Sequence, residues 1–209
     1  RRNKSDRCLS VNIAKGVAKC HHCDAISIRD TKPLVQDMVY KLPEQTWKNY
    51  TKLSDGMVKF CEARGIYQST LKELNITEEK YYQPQASKEM NNIVFNYFEG
   101  DTLVKKKYRS GSKHFTQTAQ TKSIFYNINA AIGQEEVFIV EGEFDVLAMH
   151  QCGFKNTISI PNGANDNDDF WINSEKYMQD VKKFYIATDN DSKGEVVADK
   201  IAQRLGRYR

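Results

Sequence analysis

The chain has 209 residues, enough for one or two domains with a real core, and its 40% hydrophobic and 28% charged residues exclude a disordered or fibrous chain. A net charge of only +4 says little about partners, so local clusters must carry that argument. No apolar run reaches the length of a membrane span, and Arg1-Arg2-Asn3-Lys4 is not followed by the apolar core of a signal peptide.

Five cysteines, an odd number with two in a Cys-x-x-Cys pair, point to a reducing, intracellular setting and to metal rather than disulfides. That pair lies in residues 1–30. Leu9 to Ile13 and Val17 to Cys20 alternate like strands, and Ala14-Lys15-Gly16 is the turn between them. The second strand runs into Cys20-His21-His22-Cys23, a spacing that supplies half of a tetrahedral Zn²⁺ site. Cys8, His21 or His22 could add a ligand, or a further pair could precede Arg1; two ordinary reduced thiols are the bland reading.

Residues 31–90 predict a linker and a small helical connector. Thr31 to Asn49 is polar, holds Pro33 and Pro43 and keeps no period. Ser54-Asp55 can cap a helix through Cys61 to Arg64 that Gly65 closes, with Met57, Phe60 and Cys61 on one face, and Tyr67 to Leu74 predicts a second short helix. Cys61 reads as a small buried side chain, since no base is suggested beside it.

Residues 91–135 change to strands. Ile93 to Phe98 meets Thr102 to Val104 across Glu99-Gly100-Asp101, which suits a tight hairpin. The second strand continues through Lys105-Lys106-Lys107-Tyr108-Arg109, Gly111 breaks it, and Lys113-His114-Phe115 follows. In a strand Lys105, Lys107 and Arg109 share one side. Such a row suits the phosphates of nucleotides or single-stranded nucleic acid, or else it protects an edge strand.

Residues 136–209 carry the most information. Val137 to Val140, Thr157 to Ile160 and Phe184 to Ala187 read as buried strands, separated by a helix over 143–151 that Gly153 ends and by a second helical stretch. This βαβαβ pattern predicts a parallel sheet, with ligands beyond the carboxyl ends of its strands. Glu141, Asp189 and Asp191 all fall at that edge. Clustered carboxylates raise one another's pKa unless a cation sits among them, and hard oxygen ligands select Mg²⁺ or Mn²⁺. Metal-dependent phosphate chemistry is the expected use. Glu143, in the first turn of its helix, is structural or metal-linked; Asp145 reads as a helix-facing acid or one that supports the metal ligands from behind, Cys152 as core, and Asp166, Asp168 and Asp169 as a loop and helix start. Gly163 and Asn165 lie where backbone amides could approach a phosphate. Val197, Ile201 and Leu205 should pack a last helix on the sheet.

Glu141-Gly142-Glu143 after one strand and Asp189-Asn190-Asp191 after a later one resemble the Toprim fold of primases, topoisomerases and some nucleases. The order of Cys-x-x-Cys hairpin, linker, basic strand and Toprim unit is similar to the primase half of phage-type, Twinkle-like primase–helicases. Leu103 to Phe115 resembles that family's basic strand–turn–strand, Ile158 to Ala164 its glycine-containing loop, and Asp191-Ser192-Lys193-Gly194 its Asp-x-x-Gly. The resemblance implies an α/β fold: a Toprim-type parallel sheet with flanking helices, preceded by a small β subdomain and a partial zinc ribbon. It implies primer synthesis by a DNA-directed RNA polymerase of the primase type, in which a 3′-hydroxyl attacks the α-phosphate of a ribonucleoside triphosphate on a single-stranded DNA template. Glu141, Asp189 and Asp191 would hold Mg²⁺ or Mn²⁺, and Cys20 and Cys23 would hold Zn²⁺. Lys105, Lys107, Arg109, Lys113 and Gly163 would meet nucleotide or template. A fused or associated replicative helicase is the implied partner, no membrane is, and the cytoplasm of a bacterium or phage-infected cell is the implied place. The Toprim unit, residues 136–209, stops short of the family's further acidic segment. A Toprim nuclease and a non-catalytic single-strand-binding module of a helicase share enough of these features to stand as rivals.

Overall fold

The alternation before residue 30 produces a small antiparallel sheet. β1 (Leu9–Asn12) pairs with β2 (Val17–Cys20) around Gly16, whose φ of 60° disfavours other side chains. A third strand, β3 (Ile26–Ile28), adds to β2; three residues carry too little period to be read from sequence. The computed structural model describes residues 8–28, 46–161 and 169–206, and these divide into two units between Trp47 and Lys48. The small sheet belongs to the first unit, and the elements that follow belong to the second.

The second unit opens with α1 (Asp55–Glu62), capped as expected: the Ser54 hydroxyl accepts from the Met57 amide, and Val58 and Cys61 form the buried face. Gly65, at φ 77°, turns the chain into α2 (Gln68–Glu73). Then comes an antiparallel sheet in the order β4-β5-β6-β7, made of β4 (Thr77–Gln83), β5 (Lys88–Glu99), β6 (Thr102–Ser110) and β7 (Phe115–Gln117). The β5–β6 hairpin turns at Gly100, φ 59°, where the sequence placed it.

Two expectations change here. Residues 77–83 were part of the helical connector, yet they form β4. Their Glu and Lys residues hide the alternation, because β4 is an outer strand and its Glu79 is matched by Lys106 on β6. The basic strand is not an edge, because β7 lies outside it, so edge protection does not explain its lysines.

The βαβαβ unit forms as its pattern predicts. β8 (Glu136–Val140) is the middle strand of a parallel sheet ordered β10-β8-β9, with β9 (Thr157–Ser159) and β10 (Lys183–Ala187) on either side. α3 (Glu143–Gln151) follows β8, α4 (Asp169–Ser174) precedes β10, and α5 (Ser192–Leu205) follows it. Val137, Ile139, Val146, Leu147 and Ile158 are fully buried, and α5 lays Val197 and Ile201 on the same core. Tyr126 exchanges both backbone hydrogen bonds with Ser159, which closes the β9 side of the sheet. Cys152 is a correction: it is exposed, because α3 ends there and Gly153, at φ 96°, turns the chain outward. Among the described residues no helix is long and apolar enough to cross a membrane.

Candidate active site

Ala187, Val140 and Ser159 are paired across the three parallel strands, so β8 and β10 end level with each other. Glu141 therefore leaves the sheet at the same edge as Asp189 and Asp191. Glu141 is half-buried, and its Oε2 is buried with no hydrogen-bond partner among the described residues. An orphaned carboxylate oxygen of this kind is costly unless a cation or proton donor meets it. Asp189 and Asp191 are exposed. Asp191 also caps α5, its Oδ1 accepting from the Lys193 amide at 3.0 Å and the Gly194 amide at 2.8 Å.

Gly194 explains how α5 starts so close to the acids. A Cβ on it would stand 1.9 Å from the Asp189 carbonyl oxygen. Gly194→Ala should therefore destabilise the protein by about 3 kcal/mol or more, as backbone overpacking does, and shift Asp189. Thermal unfolding checks this; an unchanged Tm would contradict it.

The donor set suits a hard divalent cation: oxygen ligands from two strand ends, one of them buried and unsatisfied. Among the described residues no three His, Cys, Asp or Glu side chains converge into a ready metal cage.

Glu143 is structural. It is 4% exposed, and its Oε1 accepts from the Lys107 ammonium at 2.7 Å and the Tyr97 hydroxyl at 2.5 Å. Lys107 also donates to the Pro161 carbonyl at 2.7 Å, so β6, α3 and the end of the β9 strand are tied at one nitrogen. Asp145 accepts from the Gly142 amide at 2.8 Å and so caps its own helix. Burial, helped by the Asp189 charge, raises the Asp145 pKa.

The expected row of cations does share one face, but it points inward. Lys105 is 3% exposed and lies over the Tyr97 ring; Arg109 is 5% exposed among the rings of Phe60, Phe115 and Phe144. Lys106 and Tyr108, on the other face, both bond Glu79. β6 is an inner strand whose inward face meets the aromatic core, so the cations are buried where the sequence suggested solvent. Lys113 is exposed, on the β6–β7 turn at φ 61°, and Gly163, Asn165, Asp166 and Asp168 lie outside the described residues.

Burial lowers the Lys105 pKa from an ordinary 10.5 to about 8. At pH 7 the amine is protonated both folded and unfolded, so the fold carries the whole desolvation cost. Between about pH 8 and 10.5 the folded amine releases its proton while the unfolded one keeps it, and stability rises. Lys105→Met should be about 2 kcal/mol more stable at pH 7 and lack that rise. Urea midpoints across this range test it; a parallel rise in both proteins would contradict it.

Arg64 was not singled out from sequence. It is exposed, its guanidinium lies 4.5 Å from the Phe144 ring centre, and its charge is felt by both Arg109 and Asp145. Neither arginine has a carboxylate partner within ion-pair distance among the described residues, and Arg109 Nη1 is buried and unsatisfied. A cation just before a helix-closing glycine reads as a partner of the helix dipole, which hides any other role. Both guanidinium groups stand over Phe144, three residues after Glu141, and a cation there suits a phosphate ester held with a metal on the acids.

In the first unit, the Cys8 and Cys20 sulfurs lie 3.8 Å apart. The His22 and Cys23 backbone amides lower the Cys20 pKa to about 7, while the hydrogen bond and charge of Cys20 raise that of Cys8. Thiols held together with one poised as thiolate fit a soft-ligand site for Zn²⁺.

Comparison with known proteins bears on the family and the fold. Residues 135–209 match the Toprim domain family. The chain is 34% identical over 171 residues to the Twinkle homolog protein, chloroplastic/mitochondrial, of Arabidopsis thaliana, a match covering 75% of this chain and 23% of that protein. It is 31% identical over 198 residues to the Primase homolog protein of the same plant, covering 86% of this chain and 57% of that one. The chain thus spans less than two thirds of the length of either relative. Among solved structures, the primase fragment of the bacteriophage T7 primase–helicase aligns with a TM-score of 0.58 at 19% identity, over 91% of this chain and 78% of that one. The zinc-binding and RNA polymerase domains of the Aquifex aeolicus primase align with a TM-score of 0.58 at 14% identity, over 73% and 47%. Residues 135–209 are therefore a Toprim domain, set in a chain that has the fold of phage and bacterial primases.

Proposed function

We propose that this protein is the synthetic part of a DNA primase, joining ribonucleotides into short RNA primers on a single-stranded DNA template. The observation that carries the reading is that Glu141, Asp189 and Asp191 follow the ends of two paired parallel strands, with the exposed Arg64 guanidinium over the first turn of the helix after Glu141. Glu141, Asp189 and Asp191 would hold Mg²⁺ or Mn²⁺, which supplies charge neutralisation at the α-phosphate when bound. Arg64 and Lys113, both exposed, would receive the triphosphate, with the buried Arg109 charge behind them; their charge-assisted bonds orient it for in-line attack by a primer 3′-hydroxyl, with pyrophosphate leaving. Lys107 acts from behind, fixing the β6 strand to α3 through Glu143, and Lys105 packs beneath. Cys20 and Cys23, with Cys8, would hold Zn²⁺ in a template-reading ribbon. The names of the relatives and of the phage structure support a fused or associated helicase as partner and a setting within a cell or organelle.

The test is product analysis. The full-length protein, single-stranded DNA, labelled ribonucleoside triphosphates and Mg²⁺ or Mn²⁺ should yield short RNA. Cleavage of the DNA without incorporation would make the protein a Toprim nuclease, and binding with neither would make it a non-catalytic module.

A further inference from the structure

Gln151, the last residue of α3, commits its side-chain amide to the turn between α1 and α2. Its Nε2 donates to the Gly65 carbonyl at 2.6 Å. Its Oε1 accepts from the Tyr67 amide at 2.7 Å and from the Thr70 hydroxyl at 3.1 Å. One side chain thus binds three groups across residues 65–70, adding to the backbone bonds by which the Gly65 and Ile66 amides reach the Glu62 and Cys61 carbonyls. His150, beside it, adds a 2.8 Å bond to Glu73 on α2.

Arg64 leads into this turn, and its guanidinium lies over Phe144 in the first turn of α3. The same helix therefore holds the turn that follows the arginine at one end and receives its charged head at the other. Phe144 and Gln151 are about 10 Å apart along the axis at 1.5 Å per residue, so α3 acts as a fixed ruler. Its first turn follows directly on Glu141. A turn left free would have to be ordered each time a phosphate bound, and that ordering cost weakens binding.

We propose that Gln151 is a positioning residue for nucleotide binding: by fastening the 65–70 turn to the far end of α3, it sets where the Arg64 guanidinium stands beside the acidic edge. This rests on the assignment of Arg64 to the triphosphate. The ligand class is a nucleoside triphosphate, and Gln151 acts on it only through Arg64.

The experiment is a double-mutant cycle on the full-length protein with Gln151→Met, which keeps the volume and loses the bonds, Arg64→Ala, and the pair. Two readouts are taken: the Kd for GTP with Mg²⁺ by calorimetry, and KM and kcat for primer synthesis. Gln151→Met should raise Kd and KM about tenfold, the size of one charge-assisted hydrogen bond, with kcat changed less than about twofold. In the Arg64→Ala background it should add less than about twofold. The same tenfold loss in both backgrounds, or a fall in kcat and Tm with Kd unchanged, would overturn the proposal and leave Gln151 a helix-packing residue. If Arg64→Ala leaves Kd unchanged, the Arg64 assignment and the proposal fall together. If the wild-type protein makes no primer, the functional reading falls, and the Kd cycle still decides the role of Gln151.

Discussion

Glu143→Ala should lower the stability of the protein by about 3–5 kcal/mol, the cost of removing one partner from a buried ion pair. Lys107 would keep its charge with only the Pro161 carbonyl as acceptor, and the Tyr97 hydroxyl would lose its partner inside the core. Glu143→Gln keeps acceptors for both and should cost less, since only the opposing charge is lost. The pair Glu143→Leu with Lys107→Met should recover most of the loss, because two apolar groups leave no unpaired charge behind. Guanidinium denaturation of the four proteins measures this. Additive losses in the double variant would show that Glu143 and Lys107 do not act as a pair.

Glu141→Gln and Asp189→Asn should each reduce nucleotidyl transfer by on the order of 10³-fold while the fold persists. Neither residue is in an ion pair that the structure records among the described residues, and removing one of several like charges relieves repulsion, so Tm should hold or rise slightly. Asp191→Asn separates two roles of one residue. Asparagine caps a helix about as well as aspartate, so α5 should remain folded while the metal affinity falls. Circular dichroism together with Mn²⁺ titration reads both at once. A large loss of Tm in Asp191→Asn would mean that its charge serves the helix rather than a metal.

The Toprim unit was legible because each of its strands is a short apolar run that ends in a turn signal, and each acid directly follows such a run. The βαβ handedness rule then brings Glu141 and Asp189 together without further information. The hairpin at Gly100 and the Ser54 cap were legible for a similar reason, since local chemistry decides both. Burial on β6 was not. Alternation assigns Lys105, Lys107 and Arg109 to one face, but only the tertiary fold brings Glu143, Tyr97 and Phe144 against that face. Charged residues normally mark solvent; here Glu143 neutralises Lys107 and aromatic rings receive Arg109. β4 was missed because its charged residues look like a connector until Lys106 is seen opposite Glu79. Arg64 belongs to a turn whose placement depends on Gln151, far along the chain, and no local pattern signals a partner at that distance.

The most direct test of the account is primer synthesis on single-stranded DNA by the full-length protein and its Asp189→Asn variant, with bound Mn²⁺ measured on both. The account predicts short RNA from the wild type, none from the variant, and weaker Mn²⁺ binding in the variant. Synthesis by Asp189→Asn at the wild-type rate, with Mn²⁺ binding intact, would contradict the placement of the chemistry at this sheet edge.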